Sequence, residues 1–247
     1  MHPLAIRRQA RLEHRNGSSI GSVAARLGLP YQTVRTWCRN EGAPDSRFTE
    51  ARCFRCRETT SADREPYAYL LGIYLGDGHL VTSAKVPVLR ISCTAAYTDL
   101  LDQAEKAMLA TLANRVQRIR QKGSVNLQSY SKHWPCLFPQ AGAGKKHERR
   151  IELESWQQAI VLDHPGAFLR GLFHSDGCRA INRITKNGKT YEYPRYLFAN
   201  ESADILAVCG WALDLLGVAW RLNRRNSLSV ARRDAVALLD EHVGPKS

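Results

Sequence analysis

The chain has 247 residues, 44% of them hydrophobic, enough for one large domain with a small appendage and a substantial core. Lys and Arg number 36 against 23 Asp and Glu, a formal charge of +13, which points to a polyanionic partner and argues against a plain protein–protein module. The most apolar run, Ile205 to Trp220, is shorter than the roughly 20 residues that span a bilayer and contains Asp214, and Met1 to Arg15 lacks an apolar signal core, so no membrane role is expected and the expected location is cytoplasmic, on nucleoid DNA.

Residues 1–42 read as an all-α helix-turn-helix unit. Ala5 to Arg15 forms a first helix, Ser18 or Ser19 caps a second through Leu27, and Gly28-Leu29-Pro30 turns into a third ending near Asn40. The order Ala24, Gly28, Val34 is similar to the small residue, turn glycine and buried aliphatic of transposase- and resolvase-type domains. Gln32, Thr33 and Arg35, near the start of the third helix, are the expected DNA contacts.

Residues 43–65 mix Gly, Pro, Ser and Arg with little periodicity and read as a linker. Within it Cys53-Phe-Arg-Cys56 has the spacing of half a structural zinc site, which Cys38, His133, Cys136 or His147 could complete; free thiols are the other reading. Seven scattered cysteines do not suggest a disulfide framework.

From Pro66 the pattern runs helix, two strands, helix, two strands, and then repeats. The opening helix ends in Tyr69-Leu-Leu-Gly-Ile-Tyr-Leu-Gly-Asp-Gly78. Two strands follow, His79 to Ser83 and Val86 to Thr94, the second with Leu89, Ile91 and Cys93 on one face and Val88, Arg90, Ser92 and Thr94 on the other. After an amphipathic helix, Tyr97 to Ala113, come strands Arg115 to Gln121 and Val125 to Lys132. Arg90, Ser92, Gln128 and Lys132 supply a polar face suited to base edges and phosphates, joined by Lys145 and Lys146 from the glycine-rich run before the second half.

The second half opens on Phe168-Leu-Arg-Gly-Leu-Phe-His-Ser-Asp-Gly177, continues in a hairpin from Cys178 to Asn200 with Asn187-Gly188 as its turn, and then a helix from Ser202 to Gly217. Strands Trp220 to Arg225 and Leu228 to Arg232 and a helix from Asp234 close it. Arg221, Asn223, Arg225 and Arg232 are its expected DNA contacts. Trp134, Phe138, Trp156 and Trp211 are expected in the core, and His79 and His174 as packed or hydrogen-bonded residues rather than ligands.

The two decapeptides say nearly the same thing. Gly72 and Gly76, and Gly171 and Ser175, stand one turn apart, making flat strips on which two helices can pack with backbones in near contact. Gly78 and Gly177 read as left-handed caps. Asp77 and Asp176 then lie at the unfavourable end of each helix dipole and converge on each other, an arrangement a divalent cation between them would reverse in sign.

Leu70 to Gly78 and Leu169 to Gly177 resemble the signature of the LAGLIDADG homing endonucleases, with Leu75 and His174 where the signature has its penultimate acid. The resemblance covers residues 66–247, divided into halves at 66–160 and 161–247. It implies an α+β fold of two pseudo-symmetric αββαββ(α) halves with antiparallel saddle sheets, joined here to the small all-α unit. It further implies a monomeric, Mg²⁺-dependent double-strand DNA endonuclease of the intron-homing kind, with Asp77 and Asp176 as metal-binding catalytic residues and the Gly76 and Ser175 positions beside them. The alternative is a non-cleaving transcriptional regulator on the same fold. Retention of both acids favours cleavage.

Overall fold

In the computed structural model, which describes residues 4–39, 64–244 and 246, the chain divides into two compact units, Met1–Arg52 and Cys53–Ser247. The linker cysteines Cys53 and Cys56 lie outside the described residues. Among those residues no helix is long and apolar enough to cross a membrane.

The first unit holds α1 (Leu4–Arg15), α2 (Ile20–Leu27) and α3 (Tyr31–Arg39). Ser19 caps α2, its hydroxyl accepting the Ser22 N–H at 3.1 Å, and Gly28 ends it at φ 62°. Ala10, Val23, Ala24, Val34, Trp37 and Cys38 form its core, while Arg11 donates through Nε to the Trp37 carbonyl at 2.9 Å. Cys38 is thus buried in this small core.

The second unit is mixed α/β with two four-stranded antiparallel sheets. It begins with α4 (Arg64–Asp77), β1 (Gly78–Val81), β2 (Val88–Thr94), α5 (Thr98–Thr111), β3 (Gln117–Gln121), β4 (Ser124–Tyr130) and a short α6 (Trp134–Leu137). Then α7 (Ser155–Asp163), spanning the expected boundary at 160, leads into α8 (Pro165–Asp176), β5 (Gly177–Lys186), β6 (Lys189–Ala199), α9 (Ala203–Leu215), β7 (Arg221–Arg224), β8 (Ser227–Val230) and α10 (Arg233–His242). The sheet orders, β1-β2-β4-β3 and β5-β6-β8-β7, repeat each other. Asn187 and Gly188 turn the β5–β6 hairpin at φ 52° and 72°.

The helices α4 and α8 are largely apolar around their circumference because they lie inside a single core drawn from both halves, Arg170 of α8 being tied off on the His242 carbonyl at 2.7 Å. Their contact is backbone to backbone: a Cβ placed on Gly72 would stand 2.8 Å from Leu172 N and closer still to Phe168 O, and one on Gly171 would stand 2.8 Å from Ile73 N. Trp134 and Phe138 are fully buried, with Trp156 and Trp211 packed at the margin of the same core.

Gly78 and Gly177 depart from expectation. Neither has positive φ, and Gly177, at φ −96° and ψ 164°, is the first residue of a strand. Glycine is required there because the chain leaves the helix directly into a strand: a Cβ would meet Tyr74 Cα at 2.5 Å in one half and Phe173 Cα at 2.6 Å in the other.

Candidate active site at the paired helix ends

Asp77 and Asp176 are the last residues of α4 and α8, and the helix contact carries them to the same spot. A Cβ on Gly76 would lie 2.5 Å from Ser175 Cβ and 2.9 Å from Asp176 Oδ2, so the second carboxylate leans on the last turn of the first helix. Burial, and then the charge of Asp176, push the Asp77 carboxyl up to about 6, against the pull of Lys246 and Lys146. Asp77 nonetheless keeps solvent access, its side chain being exposed at the end of the helix. Asp176 is raised as well, mainly by burial; Asn200 opposes this by donating from Nδ2 to Oδ2 at 2.6 Å.

Two lysines close the helix ends. Lys146 Nζ donates to the carbonyls of Tyr74, Leu75 (3.0 Å) and Gly76 (2.8 Å), using its three N–H groups on the orphan acceptors of α4. Burial lowers it to about 8 even though both aspartates pull it up. Lys246 Nζ donates to the Ser175 carbonyl at 2.9 Å and is also lowered by burial. The Gly76 and Ser175 carbonyl oxygens therefore each hold an ammonium, leaving one lone pair apiece for a cation. The surface phosphate contact expected of Lys146 is corrected accordingly: its donors face inward onto a helix terminus. Lys145 is exposed, and Arg149 braces the loop between them by donating to the Gly144 carbonyl at 2.7 Å.

Lys246, Asn200 and Arg149 were not singled out in the sequence. For Lys246 a signal exists: Lys146 reaches a carbonyl 70 residues earlier and Lys246 one 71 residues earlier, steps that differ by a single residue between the repeats. His174 is buried, its Nδ1 3.1 Å from Tyr69 OH and its Nε2 3.1 Å from the Val243 carbonyl, which places it in the core, as expected, and fixes the segment that delivers Lys246. His79 faces the open side of β1.

The strand register sorts the remaining residues. One face of each sheet covers the core; the other carries His79, Arg90, Ser92, Asn126 and Gln128 in the first half and Asn182, Lys186, Lys189, Arg195, Arg221 and Arg224 in the second. No strand residue on either open face is acidic. Ser92 donates to Asn126 Oδ1 at 2.6 Å, Gln128 is buried between its neighbours, and Lys132 is exposed in the turn after β4. An irregularity between Leu222 and Arg224 shifts β7, so that Arg221 and Arg224 share the face expected for Arg221, Asn223 and Arg225. Arg225 lies beyond the strand, 3.2 Å from Glu201, and Arg232 pairs with Asp234 at 2.9 Å. In the first unit Gln32 is exposed on α3, with Thr33 and Arg35 half-buried.

Among the described residues no group of three or more His, Cys, Asp or Glu comes together to hold a metal. The paired carboxylates and two main-chain oxygens are a hard oxygen set, which suits Mg²⁺ or Ca²⁺ rather than a thiol-seeking metal.

The fold of the second unit is shared with solved structures. The meganuclease I-SmaMI bound to uncleaveable DNA superimposes with a TM-score of 0.50 at 10% identity, over 73% of this chain and 84% of that one. A mesophilic variant of I-DmoI gives 0.47 at 19% identity over 72% and 90%, and I-DmoI in complex with DNA and calcium gives 0.44 at 20% over 74% and 94%. No family model and no curated protein matches the sequence. The fold of the second unit is that of the LAGLIDADG homing endonucleases.

Proposed function

We propose that the protein is a site-specific, metal-dependent endonuclease that hydrolyses phosphodiester bonds in both strands of duplex DNA, acting as a monomer in the cytoplasm. One observation carries this reading: two carboxylates, one from each motif helix, are brought together where burial and mutual charge raise Asp77 to about 6. Folding alone gains nothing from that pairing, and a divalent cation converts it into binding. In this reading Asp77 and Asp176 hold the cation, with Mg²⁺ the expected ion, and the Gly76 and Ser175 carbonyls stand beside them. When bound, the ion acidifies water and neutralises charge on the scissile phosphate.

The protein's own groups do the rest. Asn200 orients Asp176, and Lys146 and Lys246, held on helix-end carbonyls, supply positive charge without competing for the carboxylates. The open sheet faces, free of acidic side chains, hold the duplex through Arg90, Ser92 and Gln128 in the first half and Arg221 and Arg224 in the second, with Lys132, Lys145, Asn223, Arg225 and Arg232 adding contacts from the turns and strand ends around them. Gln32, Thr33 and Arg35 of α3 add a separate contact from the helix-turn-helix unit. I-SmaMI and I-DmoI are seen on DNA in the same fold, and one I-DmoI complex contains calcium.

The test is to incubate the full chain with a pool of random duplexes and Mg²⁺ and sequence the new ends. A defined cut that disappears in Asp77→Asn and in Asp176→Asn, while removal of residues 1–42 weakens retention but leaves cutting, is the expected result. Sequence-specific retention without cutting in Mg²⁺ or Mn²⁺ would assign the chain to non-cleaving regulation instead.

A further inference from the structure

The two halves differ at several matched positions around the carboxylates, and one of these differences changes what the carboxylate itself is bonded to. In the first sheet Gly78, next to Asp77, pairs with Ile91; in the second Gly177, next to Asp176, pairs with Phe198. Two residues farther on, the matched positions are Cys93, in β2, and Asn200, the residue that follows β6. Asn200 is held from behind, its Oδ1 accepting the Ser202 N–H at 2.8 Å at the start of α9, and it presents Nδ2 to Asp176 at 2.6 Å. Cys93 is buried and faces the charge of Asp77, but a thiol is a weak donor. Among the described residues no side chain hydrogen-bonds the Asp77 carboxylate, so one acid is clamped by an amide and its twin is not.

We propose that this mismatch makes the two half-sites unequal: Asn200 is a positioning residue that fixes Asp176 for its task, Asp77 must be ordered at each turnover, and the two DNA strands are cut in a fixed order through a nicked duplex. The inference rests on the nuclease reading above. Each cut is the same hydrolysis: a water oxygen bonds to phosphorus and gives its proton to solvent, the bond from phosphorus to the 3′ oxygen breaks, and that oxygen takes a proton from solvent, so that a 5′-phosphate and a 3′-hydroxyl result. The expected difference between the strand rates is about tenfold, the effect of one hydrogen bond to a charged group on a rate.

The test uses the full chain on a supercoiled plasmid carrying a duplex recovered from the cleavage selection, with each strand labelled. Wild type should accumulate nicked circle with the break always in the same strand. Cys93→Asn should bring the slower strand to within about twofold of the faster, and Asn200→Cys should bring the faster down to the slower. A readout independent of activity accompanies these: in metal-free crystals Asp176 should occupy one rotamer and Asp77 more than one, with Cys93→Asn restoring a single Asp77 rotamer. Should Asn200→Cys fail to fold, Cys93→Asn still decides. Equal strand rates in wild type, or a Cys93→Asn enzyme with unchanged order and an unchanged Asp77, would overturn the inference while leaving the nuclease reading intact. No cutting of either strand would overturn that reading itself.

Discussion

His174 shows what a single residue contributes when it occupies a signature position but faces inward. Its ring lies between Tyr69 and the Val243 carbonyl, and burial lowers it from 6.5 to about 4. The folded state therefore favours the neutral ring, and the unfolded chain takes up the proton first as pH falls. Stability from this group is complete above pH 6.5 and is lost between 6.5 and 4, on the order of 3 kcal/mol in all. Asp77 acts in the opposite sense in part of that window, since its raised carboxyl makes ionisation in the metal-free fold unfavourable between 3.8 and about 6. Comparing wild type with His174→Gln isolates the histidine. The difference in unfolding free energy should be flat above pH 6.5 and move toward the variant by about 3 kcal/mol as pH approaches 4; a difference constant from pH 7.5 to 4.5 would contradict the buried, neutral ring.

The decisive elements are α4 and α8, whose pairing is readable from glycine spacing because helix geometry turns a four-residue interval into a shared face. Gly72→Ala would normally add helix propensity, but here its Cβ meets the Phe168–Leu172 backbone, which cannot move without shifting a core helix. We expect a loss of about 3 kcal/mol in chemical denaturation of the second unit. Gly21→Ala on α2, whose Cβ would meet only Ser19 Oγ at 3.9 Å, should stabilise the first unit by about 0.5–1 kcal/mol. Equal effects at the two positions would mean that the helix contact is looser than described. Other features were not legible at this scale. Sequence marks Gly78 and Gly177 as special without saying whether a positive φ or a close approach requires them, and the two lead to different reasons for the same residue. Strand alternation placed Arg221 correctly, but the irregularity at Leu222–Arg224 exchanged Arg225 for Arg224 on its face. The role of Lys246 is not legible in sequence because its acceptor is 71 residues away, and only the folded repeat brings the tail back to α8.

At the scale of the whole molecule, charge is sorted rather than spread. Acidic side chains gather on the helix side of the sheets, where Asp102 and Glu105 engage Arg118 and Asp240 engages Arg179, while the open faces keep Arg, Lys, Asn and Gln. Against that background of +13, two acids, Asp77 and Asp176, end the joined helices. The account stands or falls on their holding a cation together. Anomalous diffraction at the manganese edge from crystals of the full chain soaked in Mn²⁺ measures this directly. The account predicts a peak shared by the two carboxylates, lost in Asp77→Asn. Density showing Asp77 and Asp176 turned apart, or satisfied by Lys146 and Lys246 with no manganese between them, would contradict it.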